Sequence, residues 1–419
     1  MNENRRKSVN SLLSSAVGLA AFSVYLLSLS RGPFPGSSAG LIARVQGLVP
    51  DPVPHGILWS ALARFIAEFP VGTVSFRLNM LSAVLGGFSV FFLCLIMSET
   101  VFRTIKTTEL NKNRAVFAAS AAGLGSALFL AFGLPFWTIS NRASPVSFDV
   151  FLLLTVTWFY IVRVSSGRPV YAMIFAFVYG VCTVEFSAFA VFAPFFGLHL
   201  VITLWKNETL NLRSGIGLAL CALAGLSFYF ISAGVFYGSE GYELRGYSNY
   251  WQVVWYMWRD QYWELKGSLP HRGWLVVLLV TAVPWLTALG VASRGLNDEG
   301  DWSYYLLHMV LSGLALCVLA NVEWLKSLSA PRGVPVTLFL LSASVFGYTA
   351  AYWIFLPLNR RDASGGRGWI AATGAFAIVA VSAVALAVCS AGNFASADAR
   401  EAGVINRYAK MVVESMEGR

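Results

Sequence analysis

The chain has 419 residues, of which 57% are hydrophobic, 15% aromatic and only 12% charged, and its formal net charge is +9. A soluble domain carries roughly 25% charged residues. This depletion, with apolar runs of about 20 residues recurring along the whole length, excludes a single soluble core and points to repeated membrane spans. The Lys and Arg residues collect in short segments between the runs, where they set topology, and no nucleic-acid partner is implied.

In chain order, the start MNENRRKSVN is followed by an apolar run from Ser11 to Leu29 that is too long for a signal-peptide core. Arg31-Gly32-Pro33 does not resemble a small-residue cleavage site, so the segment reads as a retained signal anchor. About eleven spans are expected, at 11–30, 78–100, 115–134, 147–164, 170–184, 187–205, 214–236, 273–292, 303–322, 334–355 and 369–391. Arg5-Arg6-Lys7, then Arg103/Lys106/Lys112/Arg114, Arg163/Arg168, Lys206/Arg213, Arg294 and Arg360/Arg361/Arg367 all fall on one side of this alternation. By the positive-inside rule that side is cytoplasmic, which puts the N-terminus inside and the C-terminus outside.

Two long segments, 31–77 and 237–272, then lie on the outer face. In the first, Ile57, Leu58, Ala61, Leu62, Phe65, Ile66 and Phe69 recur at helical spacing and predict a helix lying in the membrane interface. In the second, Trp251, Val254, Trp255, Trp258, Tyr262 and Leu265 mark one face of a helix, with Arg259, Asp260 and Lys266 elsewhere. Trp and Tyr favour the headgroup layer because each joins an apolar body to a polar edge. That face reads either as a belt that seats the helix or as a platform for a lipid-linked substrate.

The polar tail after Gly392 is expected to be helical from about Ser396 to Glu417. Residues 1–391 thus form a transmembrane domain and 392–419 an outer-face tail. The five cysteines, Cys94, Cys182, Cys221, Cys317 and Cys389, all fall inside expected spans without metal-ligand spacing and read as packing residues. His199 and His308 sit in apolar helices and read as core histidines. No P-loop, dinucleotide fingerprint, H-E-x-x-H or G-x-S-x-G element occurs, nor any repeat of solenoid or inverted-transporter type.

The nearest thing to a signature is positional. Phe76-Arg77-Leu78-Asn79-Met80-Leu81-Ser82 opens the second span, Val49-Pro50-Asp51-Pro52-Val53-Pro54-His55-Gly56 precedes the interfacial helix, and Pro35-Gly36-Ser37-Ser38-Ala39 follows the first span. Further on come Pro135-Phe136-Trp137-Thr138 and the Tyr179 to Pro194 junction. This series resembles the bacterial multipass membrane glycosyltransferases of the GT-C type that are related to the animal transmembrane O-mannosyltransferase. The match is strongest in the first 200 residues. Gly36 and Ala39 stand roughly where that family carries acidic residues, and Ser144-Pro145-Val146 replaces a Glu-Val-Tyr.

The resemblance implies an all-α, GT-C-like membrane fold in the bacterial cytoplasmic membrane. It implies transfer of a hexosyl or mannosyl group from a polyprenyl-phosphate donor to an outer-face protein or glycan acceptor, by inverting displacement. The Tyr408-Ala409 stretch implies the start of an outer-face soluble domain.

Such chemistry uses a carboxylate as base or as ligand for a divalent cation, and Gly and Ala can serve as neither. Three carboxylates are candidates for the catalytic role. Asp51 lies in the right loop beside His55, although a proline-bracketed Asp also reads as a turn residue. Glu185 sits between spans, where an ionisable group must be paired or wetted. Asp149 lies near the outer end of the fourth span. Arg77 and Arg142 at the outer boundary match a lipid phosphate bidentately or snorkel to the interface. His55, Arg259 and Gln261 complete the substrate-binding candidates; no metal site is assigned. Beside the enzyme, two other readings stay open: a catalytically silent scaffold or lipid-sugar binding subunit, and a lipid or solute transporter.

Overall fold

A computed structural model describes residues 3–50, 56–105, 112–267, 302–319, 333–360 and 366–400. The described chain is helical throughout: α1 (Glu3–Leu27), α2 (Ser37–Val45), α3 (Ile57–Ala67), α4 (Val74–Thr104), α5 (Lys112–Phe132), α6 (Leu134–Ser140), α7 (Pro145–Val162) and α8 (Pro169–Glu185). There follow α9 (Ala188–Lys206), α10 (Leu212–Leu226), α11 (Phe228–Phe236), α12 (Glu240–Arg245), α13 (Tyr250–Gly267), α14 (Trp302–Leu319), α15 (Gly333–Arg360) and α16 (Gly366–Ala397). Hydrocarbon offers the backbone no hydrogen-bond partner, so apolar runs of this length close their bonds internally as helices.

Among the described residues, six segments are long and apolar enough to cross a membrane: Glu3–Leu27, Val74–Thr104, Lys112–Phe132, Pro145–Ser166, Leu212–Phe236 and Thr373–Ala397. Ten of the eleven expected spans coincide with helices; 273–292 lies outside the described residues, as do Asp51, His55, Arg294 and the tail from 401. Within the expected span 214–236, α10 and α11 meet at Ser227, whose N–H still donates to the Leu223 carbonyl and whose Oγ donates to the Ala224 carbonyl.

Helix starts follow local chemistry. The Thr73 side chain accepts from Phe76 N–H at the start of α4, and Asn211 with Ser214 forms a reciprocal capping box on α10. Ser144 caps α7 just ahead of Pro145, and Pro169 opens α8, positions where the missing proline N–H costs nothing.

Among apolar neighbours there is little hydrophobic drive between helices, so close approach over small residues does the packing. A Cβ on Gly225 would sit 2.2 Å from the Phe177 carbonyl oxygen, so α8 and α10 touch backbone to backbone there. The central cluster draws on α1, α4 to α9 and α14 to α16, with Tyr25, Phe129, Trp137 and Tyr352 fully enclosed.

The two ends of the bundle differ. At one end Glu99 joins Arg6 (2.7 Å) and Arg103 (2.9 Å), Arg103 also donates to Ser165 Oγ (3.1 Å), and Thr209 Oγ1 donates to the Gly167 carbonyl (3.0 Å). These bonds gather the first four basic segments at a single end. At the opposite, loop end, the last turn of α16 meets the end of α1. Ala399 N–H donates to the Ser28 carbonyl, and Asn141 Nδ2 donates to the carbonyls of Ser28 and Ala397. Helix α6 lies buried across this end, its Trp137 ring against Tyr25, Phe132 and Phe394.

Candidate site at the loop end

Helices α2 and α3 lie over the start of α4 and close a second, smaller apolar cluster of Ile42, Trp59, Ala63, Leu78, Leu85, Ala143 and Phe148. Helix α3 buries Trp59 and Ala63, with Leu58 and Leu62 at the edge of the contact, and leaves Phe65 and Phe69 exposed. The buried face is therefore not the expected stripe: Trp59 and Ala63 lie outside it, Leu58 and Leu62 only edge the contact, and Ala61, Phe65 and, just past the helix, Phe69 are exposed.

The Arg77–Ser82 stretch is a structural knot. Asn79, fully buried, donates through Nδ2 to the carbonyls of Ser30 (2.7 Å) and Gly32 (3.2 Å), and its Oδ1 accepts from Ala143 N–H (2.7 Å). Ser82 Oγ accepts from Ser144 N–H at 3.1 Å. One helical face of α4 therefore holds the end of α1 and the α6–α7 turn together.

Glu185 ends α8 and caps α3. Its Oε2 accepts from Leu58 N–H at 2.9 Å and its Oε1 from Trp59 N–H at 2.8 Å. The first N–H groups of a helix have no internal partner and carry the positive end of its dipole, so a carboxylate there compensates part of its own desolvation. Immediately before it, the carbonyls of Thr183 (3.1 Å) and Val184 (3.2 Å) accept from Gln261 Nε2, and Tyr229 O–H donates to Gln261 Oε1. The end of α8 is thus a joint that ties α3 to α13.

Helix α13 presents Val253, Met257 and Gln261 to Val184, Tyr229, Ala233 and Phe236, and leaves Trp251, Trp255 and Trp258 exposed. The tryptophan face anticipated from spacing is the outward one. Arg259 is exposed and stacks on Tyr256 at 4.1 Å.

Asp149 is buried on α7. Among the described residues no three His, Cys, Asp or Glu side chains gather to hold a metal, and Glu185 already commits both oxygens to backbone N–H groups. A divalent cation finds no ready carboxylate set in this described region.

Arg142 stacks on Phe34 at 4.2 Å and donates from Nε to the Thr138 carbonyl at 2.5 Å. Burial lowers its pKa from the usual arginine value, yet a guanidinium stays charged throughout the working range. Arg77 is half-buried, and its Nε has no hydrogen-bond partner among the described residues. The same holds for Ser38 Oγ on α2 and Trp59 Nε1 on α3. Three buried donors on the three helices that pack here lack an acceptor, which buried polar groups rarely do.

Asp51 and His55 lie outside the described residues. Asn79 and Ser38 entered the sequence reading only as members of the quoted segments, without a role, and Trp59 did not enter it. The available signal was their position: polar edges set within apolar faces at span boundaries.

A helical bundle with several apolar helices long enough to cross a membrane, half-buried Arg77 and Arg142 and buried Asp149 and Glu185 fits one class, an integral membrane protein with a polar cluster at one end. The family model described as protein O-mannosyl-transferase TMEM260 N-terminal domain matches residues 54–209, which relates the chain to that family over α3 to α9 and suggests a glycosyltransferase. No curated protein matches the chain.

Proposed function

We propose that the chain is a GT-C-like glycosyltransferase that moves a hexosyl or mannosyl group from a polyprenyl-phosphate donor to an outer-face protein or glycan acceptor. The observation that carries this reading is the family match over 54–209, because that stretch contains Arg77, Arg142, Asp149 and Glu185. The unpartnered donors of Ser38, Trp59 and Arg77 support it, since a phosphate or sugar offers the acceptors they lack.

In this reading Arg77 and Arg142 face the donor phosphate, whose leaving-group charge a guanidinium stabilises in a fork geometry. The acceptor oxygen attacks the anomeric carbon as the phosphate–sugar bond breaks, and its proton passes to a carboxylate. Glu185 acts chiefly as a positioning residue because its oxygens hold α3. Asp51 and Asp149 are the proposed bases. Arg259 and His55 are the further proposed substrate contacts.

The test is sugar transfer from a panel of polyprenyl-phosphate sugars in proteoliposomes. Replacing the base by its amide, in Asp51→Asn or Asp149→Asn, lowers the rate by about 10²–10⁴-fold, the usual contribution of a general base. Full activity in both variants removes the assigned base, and absence of transfer with every donor overturns the enzyme reading.

A second reading, a catalytically silent scaffold, is favoured by one feature. Gly36, where the family carries an acid, has φ +93° and ψ −137° at the start of α2, a conformation open to glycine and strained for aspartate.

A further inference from the structure

The basic end of the bundle has a corner built from two connections. Arg163 and Arg168 stand between α7 and α8, and Lys206 and Arg213 flank the turn from α9 to α10, with Glu208 the one carboxylate of these segments. Thr209 Oγ1 donates to the Gly167 carbonyl at 3.0 Å, and Ser214 Oγ donates to the Thr209 carbonyl at 2.9 Å. The residues next to Arg168 and Arg213 are therefore joined through one threonine. Both arginines are exposed, and among the described residues no carboxylate pairs with either.

From this corner an apolar groove of about 520 Å³ runs inward between α8 and α10. Val170, Ile174 and Phe177 line one wall, Leu220 and Ala224 the other. Arg168 directly precedes Pro169, the first residue of α8, so it stands two residues from Val170 at the mouth. On α10, Arg213, Gly217, Leu220 and Ala224 follow at spacings of four, three and four and share one helical face. That face is turned to α8, because a Cβ on Gly217 would fall 2.5 Å from Met173 Cε. At the inner end the helices converge, where a Cβ on Gly180 would meet the Ala222 carbonyl oxygen at 2.8 Å.

A pair of unpaired cations at the mouth of an apolar slot is complementary to an amphiphile. Arginine grips a phosphate in a fork of N–H donors, and basic pockets between spans suit acidic head groups. Walls that close to backbone contact leave less width than a helix, about 10–12 Å across, so the slot takes a hydrocarbon chain. We propose that the α8–α10 groove holds an acidic glycerophospholipid of the leaflet at the basic end. Its phosphate lies between Arg168 and Arg213, and one acyl chain runs along the groove toward Gly180 and Gly225. The site lies at the end of α8 away from Glu185 and is independent of sugar transfer.

Binding is measured on the purified full chain, delipidated in mild detergent, by native mass spectrometry during lipid titration. The lipids are phosphatidylglycerol and phosphatidylcholine with the same acyl chains, and glycerol 3-phosphate serves as a soluble head-group competitor. Phosphatidylglycerol is expected to saturate a site at least tenfold more tightly than phosphatidylcholine. Arg168→Gln with Arg213→Gln erases that preference. Leu220→Trp narrows the groove and weakens phosphatidylglycerol binding by tenfold or more; Ile174→Trp does so from the other wall and replaces it if that variant unfolds. Val84→Trp, in the separate apolar groove between α1 and α4, leaves binding unchanged.

Equal affinity for phosphatidylcholine marks a slot for bulk lipid and overturns the proposal. So does a preference that survives the double arginine variant, or undiminished binding in the groove-filling variants. Equal competition by glycerol 3-phosphate marks a head-group site without a chain requirement and overturns it as well. Loss or retention of sugar transfer bears on the enzyme reading alone.

Discussion

Glu185 illustrates how one side chain can be placed in a membrane protein at tolerable cost. A carboxylate at the edge of an apolar bundle needs donors, and the two N–H groups at the head of α3 need acceptors. Glu185→Ala removes both acceptors and is expected to destabilise by about 0.5–2 kcal/mol, the usual cost of losing a helix cap. Hydrogen exchange at Leu58 and Trp59 should rise with it. Glu185→Gln keeps one acceptor oxygen and should fall between the two; unchanged exchange in both variants removes the capping role. At Gly36 the backbone conformation decides the outcome. Gly36→Asp should cost roughly 1–3 kcal/mol for its disfavoured conformation, while Ala39→Asp, on an ordinary turn of α2, should leave thermal stability nearly unchanged. Equal melting temperatures for the two variants contradict this account.

At the scale of elements, α3 and α13 are separate in sequence but are fastened to the same three residues, Thr183 to Glu185. Gln261→Leu leaves the carbonyls of Thr183 and Val184 without their side-chain donor and frees Tyr229 O–H, so exchange across α13 should accelerate. The exposed Trp251, Trp255 and Trp258 face then loses its fixed orientation, and fluorescence quenching by depth-specific lipid probes should broaden. Unaltered exchange in α13 would show that the apolar contacts of Val253 and Met257 hold it alone.

The whole molecule is polarised. The Arg6–Glu99–Arg103 bridge and the Gly167 contact put four basic segments at one end, and the Asn79 and Asn141 knots put the loop helices at the other. If the positive-inside rule sets the orientation, a single cysteine at Ser37 in a background without the five native cysteines is labelled by an impermeant maleimide in intact cells. One at Asn4 is labelled only after permeabilisation. Both positions are exposed, so the reverse pattern inverts the topology and moves the proposed site to the cytoplasmic face.

How much could be read from the chain alone follows from the range of the physics involved. Apolar runs close their own backbone bonds, so the helices, their division at basic segments and the tryptophan face of α13 were legible locally. The resemblance around Arg77–Ser82 located the loop end. Spacing could not show that Asn79 ties α1 to the α6–α7 turn, that Glu185 caps a helix 126 residues away in sequence, or that Val253 and Met257 face the protein. The phosphate-facing role of Arg77 was suggested by its residue type and its boundary position. Its buried, unpartnered Nε emerges only from the tertiary packing around the start of α4. Period and composition determine which segments become helices, because those forces act within a few residues. Which donors are left unsatisfied, and which faces stay open, is decided by packing between distant segments.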